Sequence, residues 1–122
     1  MSEQCSILFI RPGSSPGMTD DEQMKGLRSI GFRVVGEAVD GATALLAERA
    51  LRPDVVLLDV RLPDRSGLEV ARAIRATAGA AQVVLISTAD YSHAAAGCGA
   101  KAFLPKLSLS GAALQAVLAE SP

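Results

Sequence analysis

Asp59, Thr88 and Lys106 differ in chemistry but share a placement. Asp59 lies near the end of the apolar run Val55-Val56-Leu57-Leu58-Asp59-Val60, Thr88 follows Gln82-Val83-Val84-Leu85-Ile86-Ser87, and Lys106 follows Ala102-Phe103-Leu104-Pro105. Arg11 and Pro12 hold the equivalent place after Ser6-Ile7-Leu8-Phe9-Ile10. A carboxylate, a hydroxyl and an ammonium brought to one edge can bind a charged group and act on it; the residue types alone leave the reaction open. A second candidate is Gly13-Ser14-Ser15-Pro16-Gly17-Met18-Thr19, a small-residue loop leading into a helix start, as phosphate sites use. Pro12 and Pro16 weaken it, because proline has no amide to donate. His93 is the sole histidine and reads as a solvated surface residue. Cys5 and Cys98 form neither a disulfide framework nor a CxxC metal pair, and read as free thiols.

Whatever positions these groups must fit in 122 residues, the size of one domain with its own core. We therefore expect residues 1–122 to form a single domain. The composition is 49% hydrophobic, which argues against a disordered tail. Twelve Lys and Arg against thirteen Asp and Glu give a net charge of −1, so the basic excess of a nucleic-acid binder is missing. Three Phe, one Tyr and no Trp leave little for stacking a flat cofactor or single-stranded nucleic acid. No leader-like start or membrane-length apolar run is present, so a soluble, cytoplasmic protein is expected.

The apolar runs are short, mostly continuous and rich in Val, Ile and Leu, the pattern of parallel strands covered on both faces. Phe32-Arg33-Val34-Val35-Gly36 alternates more and suits an edge strand. Helical patterns separate the runs. Thr19-Asp20-Asp21-Glu22 is a capping box, followed by Met24, Leu27 and Ile30 and closed by Gly31. Further helices are expected over Ala42–Ala50, Gly67–Ala78, Asp90–Gly97 and from a Ser110 cap onward, with Leu114, Val117 and Leu118 on the last helix's apolar face. The order is (βα)5: an α/β, doubly wound, parallel five-stranded sheet with helices on both faces. Right-handed crossovers favour the flavodoxin-like strand order 2-1-3-4-5. Chemistry in such sheets sits at the carboxyl ends of the strands, beside the switch point between strands 1 and 3. That rule brings Arg11, Asp59, Thr88 and Lys106 to one edge.

With these residues in place, the chain resembles the receiver domain of bacterial two-component response regulators along nearly its whole length. The resemblance is carried by Pro53-Asp54-Val55-Val56-Leu57-Leu58-Asp59, by the spacing Asp59, Pro63, Gly67 in Val60-Arg61-Leu62-Pro63-Asp64-Arg65-Ser66-Gly67-Leu68-Glu69, by Val34-Val35-Gly36-Glu37-Ala38-Val39-Asp40-Gly41, by Thr88-Ala89, and by Ala100-Lys101-Ala102-Phe103-Leu104-Pro105-Lys106. It implies that Asp59 is the phosphoacceptor, taking a phosphoryl group from a histidine kinase. Thr88 would bond the phosphoryl oxygens, Lys106 would pair with Asp59 or the phosphoryl group, and Phe103 would be the aromatic that swings inward with Thr88. Such transfer depends on charge placement rather than covalent work by the protein. The implied role is signalling, not an enzyme in its own right. The implied partners are a histidine kinase or other signalling protein, with an output domain or a second copy, and neither nucleic acid nor membrane.

The chain departs from that pattern where the metal would sit. The family places two acidic residues after strand 1 to bind Mg²⁺; here they are Arg11 and Pro12, and Gly13 to Gly17 supply no acid. Asp20 and Asp21 follow only in the first turn of the capped helix, where they suit its dipole. We expect a degenerate receiver without a metal cofactor, in which the Arg11 guanidinium sits near Asp59 in place of the metal. Mg²⁺ would be needed only if Asp59 is phosphorylated in the ordinary way. The fourth helix, about 12 Å at 1.5 Å per residue, is shortened, and Leu107 stands where many receivers have proline. Three functions compete: an atypical receiver acting through protein contacts, a phosphorylation-competent receiver, and a flavodoxin-type cofactor domain using the Gly13–Thr19 loop.

Overall fold

The computed structural model describes residues 5–11, 32–77, 81–89, 91–105 and 111–119. Among them, β1 (Cys5–Ile10), β2 (Phe32–Ala38), β3 (Val55–Asp59), β4 (Gln82–Ser87) and β5 (Ala102–Pro105) form one parallel sheet in the order β2-β1-β3-β4-β5. This is the expected order, and β2 is an edge as its alternation suggests. β3 is buried at every position because helices cover both faces of the sheet. Each fully buried Val, Leu or Ile side chain contributes roughly 1.5–3 kcal/mol.

The first described helix, α1 (Gly41–Leu51), starts at Asp40, whose carboxylate accepts from the Thr43 N–H at 2.8 Å. It ends at Arg52, in the left-handed region at φ 48°, just before Pro53. In α2 (Gly67–Arg75), Ser66 accepts from the Leu68 N–H at 3.1 Å. Of the expected stripe of Leu68, Ala71, Ile74 and Ala78, Ala71 and Ile74 are buried with Val70 and Leu68 is half-buried, while Arg72 and Arg75 face outward; Ala78 lies outside the described residues. α2 stops at Arg75, short of the expected Ala78, with Ala76 as its C-cap. The next helix is shorter than expected: α3 is one turn, Ser92–Ala95, tightening into a 3-10 turn over Ala96–Cys98. Gly99 then turns the chain into β5 at φ +83°, a conformation that disfavours a side chain. α4 spans Gly111–Ala119.

α1 and α2 lie on one face, setting Ala44, Val70, Ala71 and Ile74 against Leu8, Ile10, Val56, Leu58 and Leu85. On the other face, Leu114 of α4 joins Ile7, Phe9, Leu57, Val84 and Ile86. One irregularity interrupts the sheet. Ile7 pairs with Val34, but Leu8 pairs with Gly36, so Val35 is an extra residue bulged out of β2.

The capping box at Thr19, Asp20 and Asp21, its helix, the Gly13–Thr19 loop, Pro12, Asp90, Lys106, Leu107 and Ser110 lie outside the described residues. No helix among those described is long and apolar enough to cross a membrane.

Candidate functional site

Asp59 is the last residue of β3 and is only 4% exposed. A buried carboxylate needs donors, and the chain supplies one locally: the Arg61 N–H donates to Asp59 Oδ1 at 3.0 Å. The chain reverses tightly beyond it. Arg61 and Ser66 form an antiparallel bridge, and the Gly67 N–H donates to the Val60 carbonyl at 2.6 Å. This closure requires glycine. A Cβ at position 67 would stand 2.8 Å from Val60 Cα and closer still to the Asp59 carbonyl oxygen. The spacing of Asp59 and Gly67 thus has a steric basis: α2 starts against the backbone that carries the carboxylate.

Asp64, midway along this loop, reaches back to α1. Its two carboxylate oxygens accept from the N–H groups of Gly41 at 2.7 Å and Ala42 at 3.0 Å. These bonds, the Gly41 amide first, hold the Asp64 carboxyl below its ordinary range. The Arg65 stem lies across Gly41, where a Cβ would be 2.6 Å from Arg65 Cγ. The loop after Asp59 is therefore fastened to the start of α1.

Arg11 extends the line of β1. β1 and β3 pair with Ile10 opposite Leu58, so one further step along the ladder sets Arg11 level with Asp59. The Arg11 N–H donates to the Ala38 carbonyl at 3.0 Å, continuing the pairing with β2. The side chain is buried rather than solvent-directed, at 9% residue exposure. Its Cζ lies 5.6 Å from the Phe9 ring centroid, within cation–π range. Among the described residues, Arg11 forms an ion pair with Glu37 of β2, Nη2 to Oε1, at 2.6 Å. Glu37 had no signal of its own, since its partner depends on the bulge.

Thr88 stands just beyond β4, exposed, two residues past Ile86, which pairs with Asp59. Ser87 beside it is buried, and its hydroxyl accepts from the Ala89 N–H at 3.2 Å, shaping the turn that presents Thr88. Phe103 pairs with Leu85 and is half-buried against the core on the α1–α2 face. β5 ends at Pro105, one residue before Lys106. The described structure thus brings Asp59, Arg11 and Thr88 to the carboxyl edge of the sheet, while Pro12 and Lys106 lie outside it.

The donor set at position 11 does not fit Mg²⁺. A guanidinium offers five N–H donors and no acceptor, and its charge opposes a cation. Among the described residues, no group of three or more His, Cys, Asp and Glu is arranged to hold a metal ion. A cavity of about 460 Å³ opens at the other, amino end of the strands, lined by Cys5, Arg52, Asp54 and Gln82 among others, far along β3 from Asp59. Burial, and then the nearby Asp54 charge, push the Cys5 thiol up and make it a poor nucleophile. His93 is exposed, as expected, and Cys98 is buried in the core.

A family profile described as the response regulator receiver domain matches residues 21–118. The probable transcriptional regulatory protein NarL of Mycobacterium tuberculosis is 44% identical over 88 residues, covering 70% of this chain and 41% of that protein. A protein-glutamate methylesterase/protein-glutamine glutaminase from a Nocardioides species is 41% identical over 80 residues, 62% of this chain and 22% of that protein. The chain spans less than half the length of these curated relatives. Among solved structures, the signal receiver domain of the putative response regulator NarL from M. tuberculosis aligns with a TM-score of 0.75 and 30% identity, covering 98% of this chain and 100% of that one. A LuxR-family two-component response regulator from Aurantimonas aligns with a TM-score of 0.79 and 28% identity, covering 95% of this chain and 84% of that one.

Proposed function

Because the chain belongs to the response regulator receiver domain family, we propose that it is an atypical receiver, one that signals through protein–protein contacts and takes a phosphoryl group on Asp59 weakly or not at all. The observation that carries this reading is Arg11. It continues the β1 ladder to the level of Asp59, is buried, and is engaged by Glu37 and Phe9. A divalent cation at this edge offsets the charge that gathers on phosphoryl oxygens. A buried guanidinium in the same place supplies positive charge but no open coordination positions.

The described residues of the same edge support a receiver reading. Asp59 ends the central strand as a buried carboxylate, and Thr88 presents a hydroxyl at the same edge. Lys106, one residue past β5, is the proposed second cation, and Phe103 the proposed switch aromatic. The expected partner is a histidine kinase or another signalling protein, together with an output domain or a second copy of the chain.

Beryllofluoride binding with Mg²⁺, followed by the amide resonances of Asp59, Val60 and Arg61, tests the proposal. The wild type should respond weakly or not at all. The double variant Arg11→Asp, Pro12→Asp, which restores two acids after β1, should bind Mg²⁺ and respond. A wild type that responds readily, or that is labelled on Asp59 by acetyl phosphate with Mg²⁺, is instead a phosphorylation-competent receiver.

A further inference from the structure

We propose that Glu37 is a positioning residue of the Asp59 site: it holds the Arg11 guanidinium against β2 and keeps its donors from an oxyanion at Asp59. The inference rests on the reading of Arg11 as a cation of this site, and adds a group that holds it.

The β2 bulge provides the geometry. Because Val35 is extra, Gly36 faces Leu8 and Glu37 faces Phe9 across the ladder. Side chains alternate along a strand, so Glu37, Phe9 and Arg11 share one face. Had β2 run without the bulge, Val35 would oppose Leu8 and Glu37 would oppose Ile10, on the face covered by α1. The extra residue thus lets Phe32 and Val34 face the α4-side core while Glu37, further along, still faces the same side. Bulges beside functional sites re-aim side chains in this way.

The contacts are those of a clamp. Nη2 of Arg11 meets Oε1 of Glu37 at 2.6 Å, with side-chain exposures of 10% for the arginine and 43% for the glutamate. The Phe9 ring supports the guanidinium from below, at 5.6 Å from Cζ to the centroid. A guanidinium this buried is costly without an anion beside it. Glu37 supplies that anion from the solvent side. Among the described residues, acids stand on either side of Arg11, Glu37 in contact with it and Asp59 level with it on β3. Whatever share of the guanidinium Glu37 takes is withdrawn from any oxyanion at Asp59.

The test uses inorganic phosphate as probe, in EDTA, with binding read from the amide resonances of Asp59, Val60 and Arg61. Glu37→Gln keeps the side-chain shape and removes the charge, and the residue's exposure favours a folded variant. Releasing one charge-assisted hydrogen bond to Arg11 should tighten phosphate binding about tenfold. In an Arg11→Gln background the same substitution should change affinity by no more than about twofold, the spread of independent sites. Glu37→Asp, which retains the charge on a shorter arm, should give a smaller gain in the same direction. No gain in Glu37→Gln, or an equal gain without Arg11, overturns the proposal. A wild type that accepts Mg²⁺ and beryllofluoride overturns the underlying reading of Arg11 instead, so the two failures are distinguishable.

Discussion

Gly67 shows how a residue with no functional group can govern one that has it. Its missing side chain lets α2 begin against the Asp59 backbone, and a Cβ there would come within 2.8 Å of Val60 Cα. Gly67→Ala should therefore destabilise the fold by about 1–3 kcal/mol, the usual cost of overpacking, measured as a lower urea midpoint. It should also disturb the Arg61 amide, whose bond to Asp59 Oδ1 depends on the same turn. At this scale the sequence was informative about spacing and silent about pairing. Asp59, Gly67 and Thr88 are readable because each sits at a set distance from an apolar run. The pairing of Arg11 with Glu37 is not readable, because Glu37 reaches it only through a bulged residue, and nothing about Val35 in a Val-Val-Gly run marks it as extra.

Among the described helices, α1 is joined by charge to the loop after Asp59. Asp64 accepts two amides at its start from 22 and 23 residues away, and Asp40 caps it locally. Asp64 titrates below its ordinary value in the folded protein, chiefly through the Gly41 amide. Its contribution is therefore present above the unfolded carboxyl range and is lost as pH falls through the depressed value. Asp64→Ala should lower the melting temperature at pH 7, and that difference should narrow as the pH drops below the ordinary Asp range, a trend that paired thermal melts would record. The C-terminal end of α1 could be anticipated from Pro53, but the clamp from Asp64 could not, since no local pattern links residues so far apart. α3 was legible as short but not as a single turn: its 3-10 continuation and Gly99 reversal are conformational choices that composition alone leaves open.

Over the whole molecule, strand order followed from alternation and handedness, and both cores from the continuous Val, Ile and Leu runs. β3 supplies residues to both core clusters: Val56 and Leu58 to one, Val55 and Leu57 to the other. Leu57→Ala, on the α4 side, should cost about 2–5 kcal/mol, as fully buried leucines do, seen as a lower denaturation midpoint. The residual cavity would lie beside Phe9, the ring that supports Arg11, so the same variant should broaden the Arg11 side-chain resonances as it loses stability.

The bulge at Val35 has a consequence for descent. Losing that one residue would iron β2 flat yet leave Glu37 opposite Phe9, whereas gaining a residue after Gly36 would turn Glu37 over to the α1 face. A lineage could thus discard the kink and inherit the clamp, or keep every amino acid and forfeit it through one inserted codon. In comparing related chains, the length of this strand will then be as telling as the letter at position 37.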